Sequence, residues 1–348
     1  MNAGDAIAVR ELPRGEERSW DAFVFANPDA TFFHRAGWRR VIEESFGHKT
    51  YFLMAERAGR IVGILSLTHV TSPLFGSGLV SNAFCVYGGP VVSEPAALAA
   101  LDARAKALLA ETGAHHLEYR NRKKLHDDWP SKPDLYATFR RTLDTDPEKN
   151  LKAIPRKQRA VVRKTLDEKA LRLEVDADPD RLYHLYAVSV RNLGTPVFAR
   201  RYFRALAREF GSDCESLSVL AGDNAVGGVM NFYFRDEVLP YYAGGTPDAR
   251  KYGAHDFMYW EVMQRAVARG CRLFDFGRSK AGTGAFSFKK NWGFTPEFLP
   301  YEFQLPNGAS IPDNNPLNPK YRLFIAAWKR LPLPLANAIG PHIARGLG

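Results

Sequence analysis

Residues 217–234 read LSVLAGDNAVGGVMNFYF. Apolar residues alternate on either side of a polar turn, which predicts a β-hairpin. The strand that follows ends in Tyr241-Tyr242-Ala243-Gly244-Gly245. A helix is expected in HDFMYWEVMQRAVARG (255–270), where Phe257, Trp260, Met263 and Val267 recur at helical spacing and Gly270 supplies a C-terminal stop. A short apolar strand with one carboxylate, Phe274-Asp275-Phe276, closes the unit. Hairpin, strand, helix, strand is a mixed α/β (α+β) arrangement whose last two strands are joined as in a parallel crossover.

The same order of elements recurs nearer the N-terminus. YFLMAERAGRIVGILSLTHV (51–70) gives the hairpin and Tyr87-Gly88-Gly89-Pro90 the glycine-ended segment. AALAALDARAKALLAETG (96–113) gives a helix stopping at Gly113, and Leu117-Glu118-Tyr119 the closing strand. The chain is therefore expected to hold two copies of one unit, at about 1–145 and 173–303. A basic helical linker at 146–172 and a Pro-rich tail at 304–348 complete it. A length of 348 residues suits two cores, since single cores stop growing near about 250–300 residues.

Hydrophobic residues make up 45%, which excludes global disorder. The net charge of +10 favours anionic partners, whether phosphates, nucleic acid or an anionic membrane surface, without choosing among them. Three cysteines, Cys85, Cys214 and Cys271, with no CxxC, suggest neither a disulfide framework nor a zinc site. Cys85 and Cys271 lie in apolar runs and are expected to be buried, reduced thiols, which fits a cytoplasmic protein. The N-terminal MNAGDAIAVRELPRGEERSW lacks the apolar core of a signal peptide, and no run of about 18 apolar residues occurs. Any contact with the inner membrane is expected to be peripheral.

No GxSxG elbow, HExxH or GxxxxGK[ST] loop occurs, so serine-hydrolase, zinc-protease and P-loop chemistries lose their best signals. The densest gathering of chemistry follows Asp275. Phe276-Gly277-Arg278-Ser279-Lys280 leads to Phe286-Ser287-Phe288-Lys289-Lys290, at the carboxyl end of a strand, where open α/β sheets bind ligands. Acyl transfer to an amine requires proton removal and stabilisation of an oxyanion. Asp275 suits the first task, unless it is a structural salt bridge to Arg278. Lys289 or Arg278 suits the second, unless Lys289 is a surface lysine. Tyr242, Gly244 and Gly245 are candidates for donor binding, since glycines admit a ligand close to the backbone. Arg250-x-x-Gly253-x-His255 approaches the R-x-x-G-x-[GA] pyrophosphate loop of acetyl-CoA-dependent N-acetyltransferases but departs from it at His255.

Lys152, Arg156, Arg159 and Arg163 step by four, three and four, which on one helix makes a single cationic stripe. It is expected to bind an anionic donor or precursor, unless it is a solvated face. The C-terminal segment carries Phe324, Ile325 and Trp328 beside Lys329 and Arg330. It either packs on the domains or rests on an anionic bilayer; Pro332 and Pro334 break any long helix there.

The chain resembles the FemAB-like acyltransferases, closest to the branch associated with PEP-CTERM/exosortase and exopolysaccharide loci. Phe32-Phe33-His34-x-x-Gly37-Trp38, Tyr87-Gly88-Gly89, Arg156-Lys157-x-Arg159-x-x-x-Arg163-Lys164, Gly194-Thr195-Pro196-Val197-Phe198, Asp275-Phe276-Gly277-Arg278-Ser279 and Phe288-Lys289-x-x-Trp292-Gly293-Phe294 carry the likeness. It implies two tandem GNAT-like domains of the acyl-CoA N-acyltransferase type, with mixed sheets flanked by helices. It implies that Phe288-Lys289 lines the transfer site and that Trp38 and Arg40 serve the acceptor; Arg278 and Phe288 join the candidates for donor binding. It further implies a direct transferase with no bound cofactor, taking aminoacyl-tRNA or an acyl thioester as co-substrate. The acceptor would be an amine or hydroxyl of a cell-envelope precursor. The long helical arm of some tRNA-using members is missing. A plain acyl-CoA N-acetyltransferase, disfavoured by His255, and a non-catalytic binding protein of degenerate domains are the rival readings.

Overall fold

The computed structural model describes residues 6–306, 309–312 and 322–348. The chain divides into two compact units. Unit 1 comprises Met1–Asp134, Leu299–Asn315 and His342–Gly348; unit 2 comprises Leu135–Phe298 and Pro316–Pro341.

Unit 1 opens with β1 (Ala8–Glu11), α1 (Glu17–Ala26) and α2 (Trp38–Phe46). β2 (Lys49–Arg57) and β3 (Arg60–Ser72) form the expected hairpin. Its turn residues, Ala58 and Gly59, have φ of 48° and 74°, the left-handed conformation that a tight hairpin of the right twist demands. β4 (Gly76–Ser81), β5 (Val91–Val92), α3 (Pro95–Thr112), β6 (Leu117–Arg120) and β7 (Ser131–Lys132) follow. α3 is closed by Gly113 at φ 63°, the cap the sequence predicted. Its Ala97, Leu101, Ala105 and Leu108 pack in one cluster with Leu53, Leu65, Leu67 and Leu117 of the sheet. β4 and β6 pair parallel; the other pairs in this sheet are antiparallel.

Unit 2 begins with β8 (Tyr136–Thr142), α4 (Pro147–Ala153) and α5 (Arg156–Glu168). Next come β9 (Leu171–Val175), α6 (Asp180–Leu193), α7 (Arg200–Phe210), and the hairpin of β10 (Cys214–Ala221) with β11 (Asn224–Phe234). β12 (Glu237–Gly245), α8 (Ala254–Ala268), β13 (Leu273–Asp275), β14 (Ser279–Lys280), α9 (Gly284–Asn291) and β15 (Pro296–Phe298) complete the run. The strand order is β14-β8-β13-β12-β11-β10-β9, with β15 also on β8 and only β12–β13 parallel. Met258, Val262, Met263 and Ala266 of α8 bury against Val219, Val229, Val238 and Phe274 of the sheet. Fully covering one such side chain stabilises by about 1.5–3 kcal/mol. The last elements are β16 (Tyr301–Gln304), α10 (Arg322–Trp328) and α11 (Leu333–Ala344).

The boundaries differ from the sequence reading in a systematic way. β8, placed in the first copy by sequence, pairs with β13 in unit 2, Arg140 opposite Asp275 and Thr142 opposite Leu273. β16, at the end of the second copy, pairs with β6 in unit 1, Tyr301 opposite Arg120. Each sheet is thus continued past its parallel pair by a strand from a remote part of the sequence. The segment 146–172 is not a free-standing linker either, since α5 packs against α8. The tail after residue 321 is helical: Trp328 and Ala336 are buried, and Gly340 lies against Val197. Of the Pro-rich tail expected at 304–348, residues 307–308 and 313–321 lie outside the described residues. All three cysteines are buried thiols. Among the described residues no helix is long and apolar enough to cross a membrane.

Candidate active site

The parallel pair β12–β13 holds through only two residue pairs, Glu237 with Leu273 and Val238 with Phe274. Beyond them β12 continues beside β11 to Gly245, while β13 leans onto β8 through Asp275. The strands fork at their carboxyl ends, the position where α/β sheets receive ligands.

The chain leaves β13 through Gly277, at φ 69°. Asp275 builds this turn. One carboxylate oxygen accepts from the Gly277 N–H at 2.7 Å and from the Thr138 hydroxyl at 2.8 Å. The other lies 3.3 Å from Arg140 Nε, and Arg140 also donates to Glu237 at 2.8 Å. Asp275 is fully buried. Its ion-pair partner is therefore Arg140 of β8 rather than Arg278, and the carboxylate anchors the turn instead of facing a substrate. Arg278 instead lays its guanidinium carbon 4.4 Å from the centroid of the Tyr136 ring.

Lys289 sits on α9, whose first turn is capped by the Thr283 hydroxyl. It is not a surface lysine: only 9% remains exposed. Its ammonium donates to the carbonyls of Gly277, at 2.8 Å, and Arg278, at 3.3 Å. Phe139 and Phe276 flank it with ring centroids at 5.5 and 5.6 Å. Burial, reinforced by the Arg278 charge and opposed by Asp275, pulls its pKa down to about 7. A lysine held at the edge between charged and neutral beside a strand fork is a functional candidate on physical grounds. Phe288, half-buried, packs outward on Tyr259, Phe276 and Trp292.

The other donor-side candidates have structural occupations. Tyr242 is buried, its hydroxyl 2.8 Å from that of Tyr202, inside a cluster with Tyr186, Phe198 and Phe203. Gly244 admits helix α6 and not a ligand: a Cβ there would stand 2.5 Å from the Tyr186 Cα. At Gly245 it would come 2.9 Å from the Val226 carbonyl and 3.0 Å from the His255 ring. Tyr241, on the opposite face of β12, is half-buried and nearer the fork; a Cβ on Gly277 would lie 3.9 Å from its ring.

At the head of α8, Gly253 at φ 63° starts the helix as a pyrophosphate loop would. α5 covers it, however. A Cβ on Gly253 would meet the Thr165 methyl at 2.9 Å, and Gln158 and Trp292 both donate to Asp256 in the first helical turn. Burial lowers the pKa of His255.

The basic stripe is interrupted. α4 ends at Ala153 because Pro155, with no N–H, forces Ile154 into an extended conformation. Lys152 thus belongs to a different helix from Arg156, Arg159 and Arg163, and Arg159 donates to the Lys152 carbonyl at 3.1 Å as a cap. Arg156 and Arg163 stay exposed.

In unit 1, Trp38 is fully buried. Its indole N–H donates to the Phe32 carbonyl at 3.1 Å, and its ring packs on Phe32 and Phe33, so it is a core residue rather than an acceptor contact. Arg40 is exposed, 3.8 Å from Glu17. The unit 1 strands also part after two pairs, Leu79 with Leu117 and Val80 with Glu118. There the opening is filled by the chain itself. Gly88 and Gly89 both donate to the Arg120 carbonyl, and a Cβ on Gly88 would stand 2.6 Å from the Ser81 carbonyl.

Sequence reasoning brought Asp275, Arg278 and Lys289 together correctly but missed Tyr136, Thr138, Phe139 and Arg140. They lie on β8, which the sequence order assigns to the other copy.

Residues 154–290, all within unit 2, match the family described as "Acetyltransferase (GNAT) domain". No curated protein sequence matches the chain. Among solved structures, FemX superposes with a TM-score of 0.64 at 15% identity, covering 91% of this chain and 100% of that one. A tandem GNAT protein from the clavulanic acid biosynthesis pathway gives 0.55 at 12% identity, with 88% and 100% covered. The C-terminal domain of a putative lysylphosphatidylglycerol synthetase from Agrobacterium fabrum gives 0.54 at 12% identity, with 84% and 92% covered. The fold is that of tandem GNAT-like domains, and unit 2 contains the stretch that matches the acetyltransferase (GNAT) domain model.

Proposed function

We propose that the chain transfers an acyl or aminoacyl group directly, with no covalent enzyme intermediate, to an amine or hydroxyl of a cell-envelope or exopolysaccharide precursor. The observation that carries this reading is the buried, near-neutral Lys289 at the fork of unit 2. As the acceptor attacks the donor carbonyl, negative charge gathers on its oxygen. A lysine ammonium in a water-poor site stabilises that charge more than it stabilises the ground state. Asp275 acts through Gly277, fixing one of the two carbonyls that hold Lys289. Arg278 and Phe288 line the donor side, and the exposed Arg156 and Arg163 steer an anionic donor or precursor.

The covered Gly253 favours a donor other than coenzyme A at the α8 head, namely aminoacyl-tRNA or a carrier-borne acyl thioester. One structural neighbour, the C-terminal domain of a putative lysylphosphatidylglycerol synthetase, is named for a lysyl product, and at 12% identity it shares the fold alone. An acetyl-CoA-dependent N-acetyltransferase is the second reading, favoured by the family match over 154–290. Exposed Leu323, Phe324, Leu335 and Ile339 beside Lys329 and Arg330 suit peripheral contact with an anionic inner membrane.

Mass spectrometry of incubations with aminoacyl-tRNA, acetyl-CoA and acyl-carrier-protein donors separates these readings. Transfer or hydrolysis from either of the first and last donors is expected. Turnover with acetyl-CoA alone selects the second reading, and no turnover with any donor leaves a binding protein.

A further inference from the structure

Unit 1 carries an open cavity of about 660 Å³ at the end of its sheet away from the strand fork. β4 starts at Gly76, and the chain enters β6 from His115. The cavity therefore lies at the amino ends of the parallel pair, whereas the fork lies at their carboxyl ends. Thr71 of β3 and Ser77 of β4 stand directly opposite each other, which puts both hydroxyls on one face of the sheet. The His115 N–H donates to the Ser77 carbonyl at 3.1 Å. The His115 ring lies over Gly76, where a Cβ would stand 2.9 Å from Nδ1. His342, in the last turn of α11, and Arg345, just past it, form the remaining wall. Arg345 is held in place by its own backbone. Its carbonyl accepts from His48 Nε2 at 2.7 Å, and Gly346 packs against Ser72.

No Asp or Glu lines this cavity. Ser72 is already engaged, its oxygen accepting from the Leu74 and Phe75 N–H groups at 3.3 Å. Among the described residues, the side chains of Thr71, Ser77, His115, His342 and Arg345 have no hydrogen-bond or ion-pair partner. Five side chains able to donate, from four segments of the chain, thus border one space that holds no opposing charge. A carboxylate would not use them, since its two oxygens are filled by the fork of a single arginine. A phosphoryl group carries close to two negative charges and three acceptor oxygens, which take donors from several directions at once. The volume exceeds one such group and falls within the range of about 300–1,000 Å³ typical of small-molecule sites, so there is room for what the phosphate is attached to.

We infer that this cavity binds a small phosphate ester. The phosphoryl group lies on Arg345 and is met by His115, His342 and the Thr71 and Ser77 hydroxyls. The site does not depend on the transferase reading above, because it stands at the opposite end of the strands from the fork.

The test is calorimetric titration of the full chain with glucose 6-phosphate and with glucose, alongside sedimentation on phosphatidylcholine vesicles containing phosphatidic acid. Glucose 6-phosphate is expected to bind saturably and glucose not at all. Arg345→Gln is expected to weaken that binding about tenfold or more, the loss of a charge-assisted contact, and Ser77→Ala severalfold. Arg60→Gln removes the same charge from unit 1 at the far end of β3 and is expected to change the affinity less than twofold. Arg345 and Arg60 are both exposed, so neither substitution threatens the fold. Sedimentation that depends on Arg345, without binding of glucose 6-phosphate, sustains the phosphoryl site and identifies its ligand as a lipid headgroup. An affinity untouched by Arg345→Gln, or no binding to either phosphate-bearing probe, overturns the proposal. Equal losses in Arg345→Gln and Arg60→Gln also overturn it, since they would show only the attraction of a net charge of +10.

Discussion

Lys289 shows how one residue couples function to stability. Its charge is buried at a cost, since its pKa falls from 10.5 to about 7. At about 1.4 kcal/mol per unit the cost approaches roughly 5 kcal/mol. The folded pKa is depressed for a base, so the cost is fully present below pH 7 and is relieved as pH rises from about 7 toward 10.5. The stability of the parent relative to Lys289→Met is therefore expected to improve by a few kcal/mol between pH 6.5 and 9.5, as read by urea titration. A flat difference would mean that the ammonium is solvated. Lys289→Ala should also lower kcat about 10²–10³-fold, the measure of a lost oxyanion contact, while the donor KM changes little. His126 in unit 1 has the opposite sign. Burial opposes its charge, but hydrogen bonds to Asp102 at 2.9 Å and Glu302 at 3.2 Å outweigh that and raise its pKa to about 9. Its stabilisation is complete below about pH 6.5 and is lost as pH rises through 9. His126→Gln is expected to lower Tm clearly at pH 6.5 and little at pH 10. An equal loss at both values would show that stacking on Trp129, at 4.0 Å, and not charge, is what the residue contributes.

Among the elements, β8 decides whether unit 2 can form. It lies between β13 and β14, so its removal bares the edge of β13 and takes away Arg140 and Thr138, which hold the buried Asp275. A fragment of residues 135–341 is expected to be soluble with cooperative thermal unfolding, whereas 146–341, which starts where the sequence places the boundary, should aggregate or melt without a transition. Equal behaviour of the two fragments would make β8 dispensable. The same strand explains what could be read in the sequence. Hairpins, helix stops at glycine and the carboxyl-end cluster were legible because each depends on residues near one another in the chain. The glycine-flanked hairpin at 58–59 and the cap at Gly113 are examples. The pairing of β8 with β13 and of β16 with β6 left no such mark, since neither strand differs in composition from one that stays in its own copy. From that single omission followed the wrong ion-pair partner for Asp275. Lys289 was singled out in the sequence, but its burial was not legible there, because Lys290 beside it gives the pair the look of a surface. Trp38 came to the acceptor side only through the family resemblance, and nothing in its own surroundings in the sequence marks it as the core residue that packs on Phe32 and Phe33.

For the molecule as a whole, a net charge of +10 makes association with polyanions expected at low salt, so only its salt dependence is informative. Of the basic segment, Arg156 and Arg163 stand exposed on α5, whereas Arg159 is engaged with the end of α4. If α5 is the contact for a nucleic-acid donor, Arg156→Ala/Arg163→Ala should weaken tRNA binding severalfold near physiological salt. It should also flatten the log–log salt slope by about 1.4–1.8, the amount for two phosphates no longer neutralised. A diphosphate-bearing precursor offers fewer charges and predicts a shallow slope from the outset. Anionic liposomes test a different surface, the exposed apolar residues of α10 and α11. Phe324→Ser/Ile339→Ser is expected to reduce sedimentation with liposomes containing phosphatidylglycerol and to leave tRNA binding alone. The two double substitutions thus have separate expected readouts. A salt slope unmoved by the α5 pair would reduce that helix to a solvated face, and unchanged sedimentation would remove the C-terminal helices from any membrane contact.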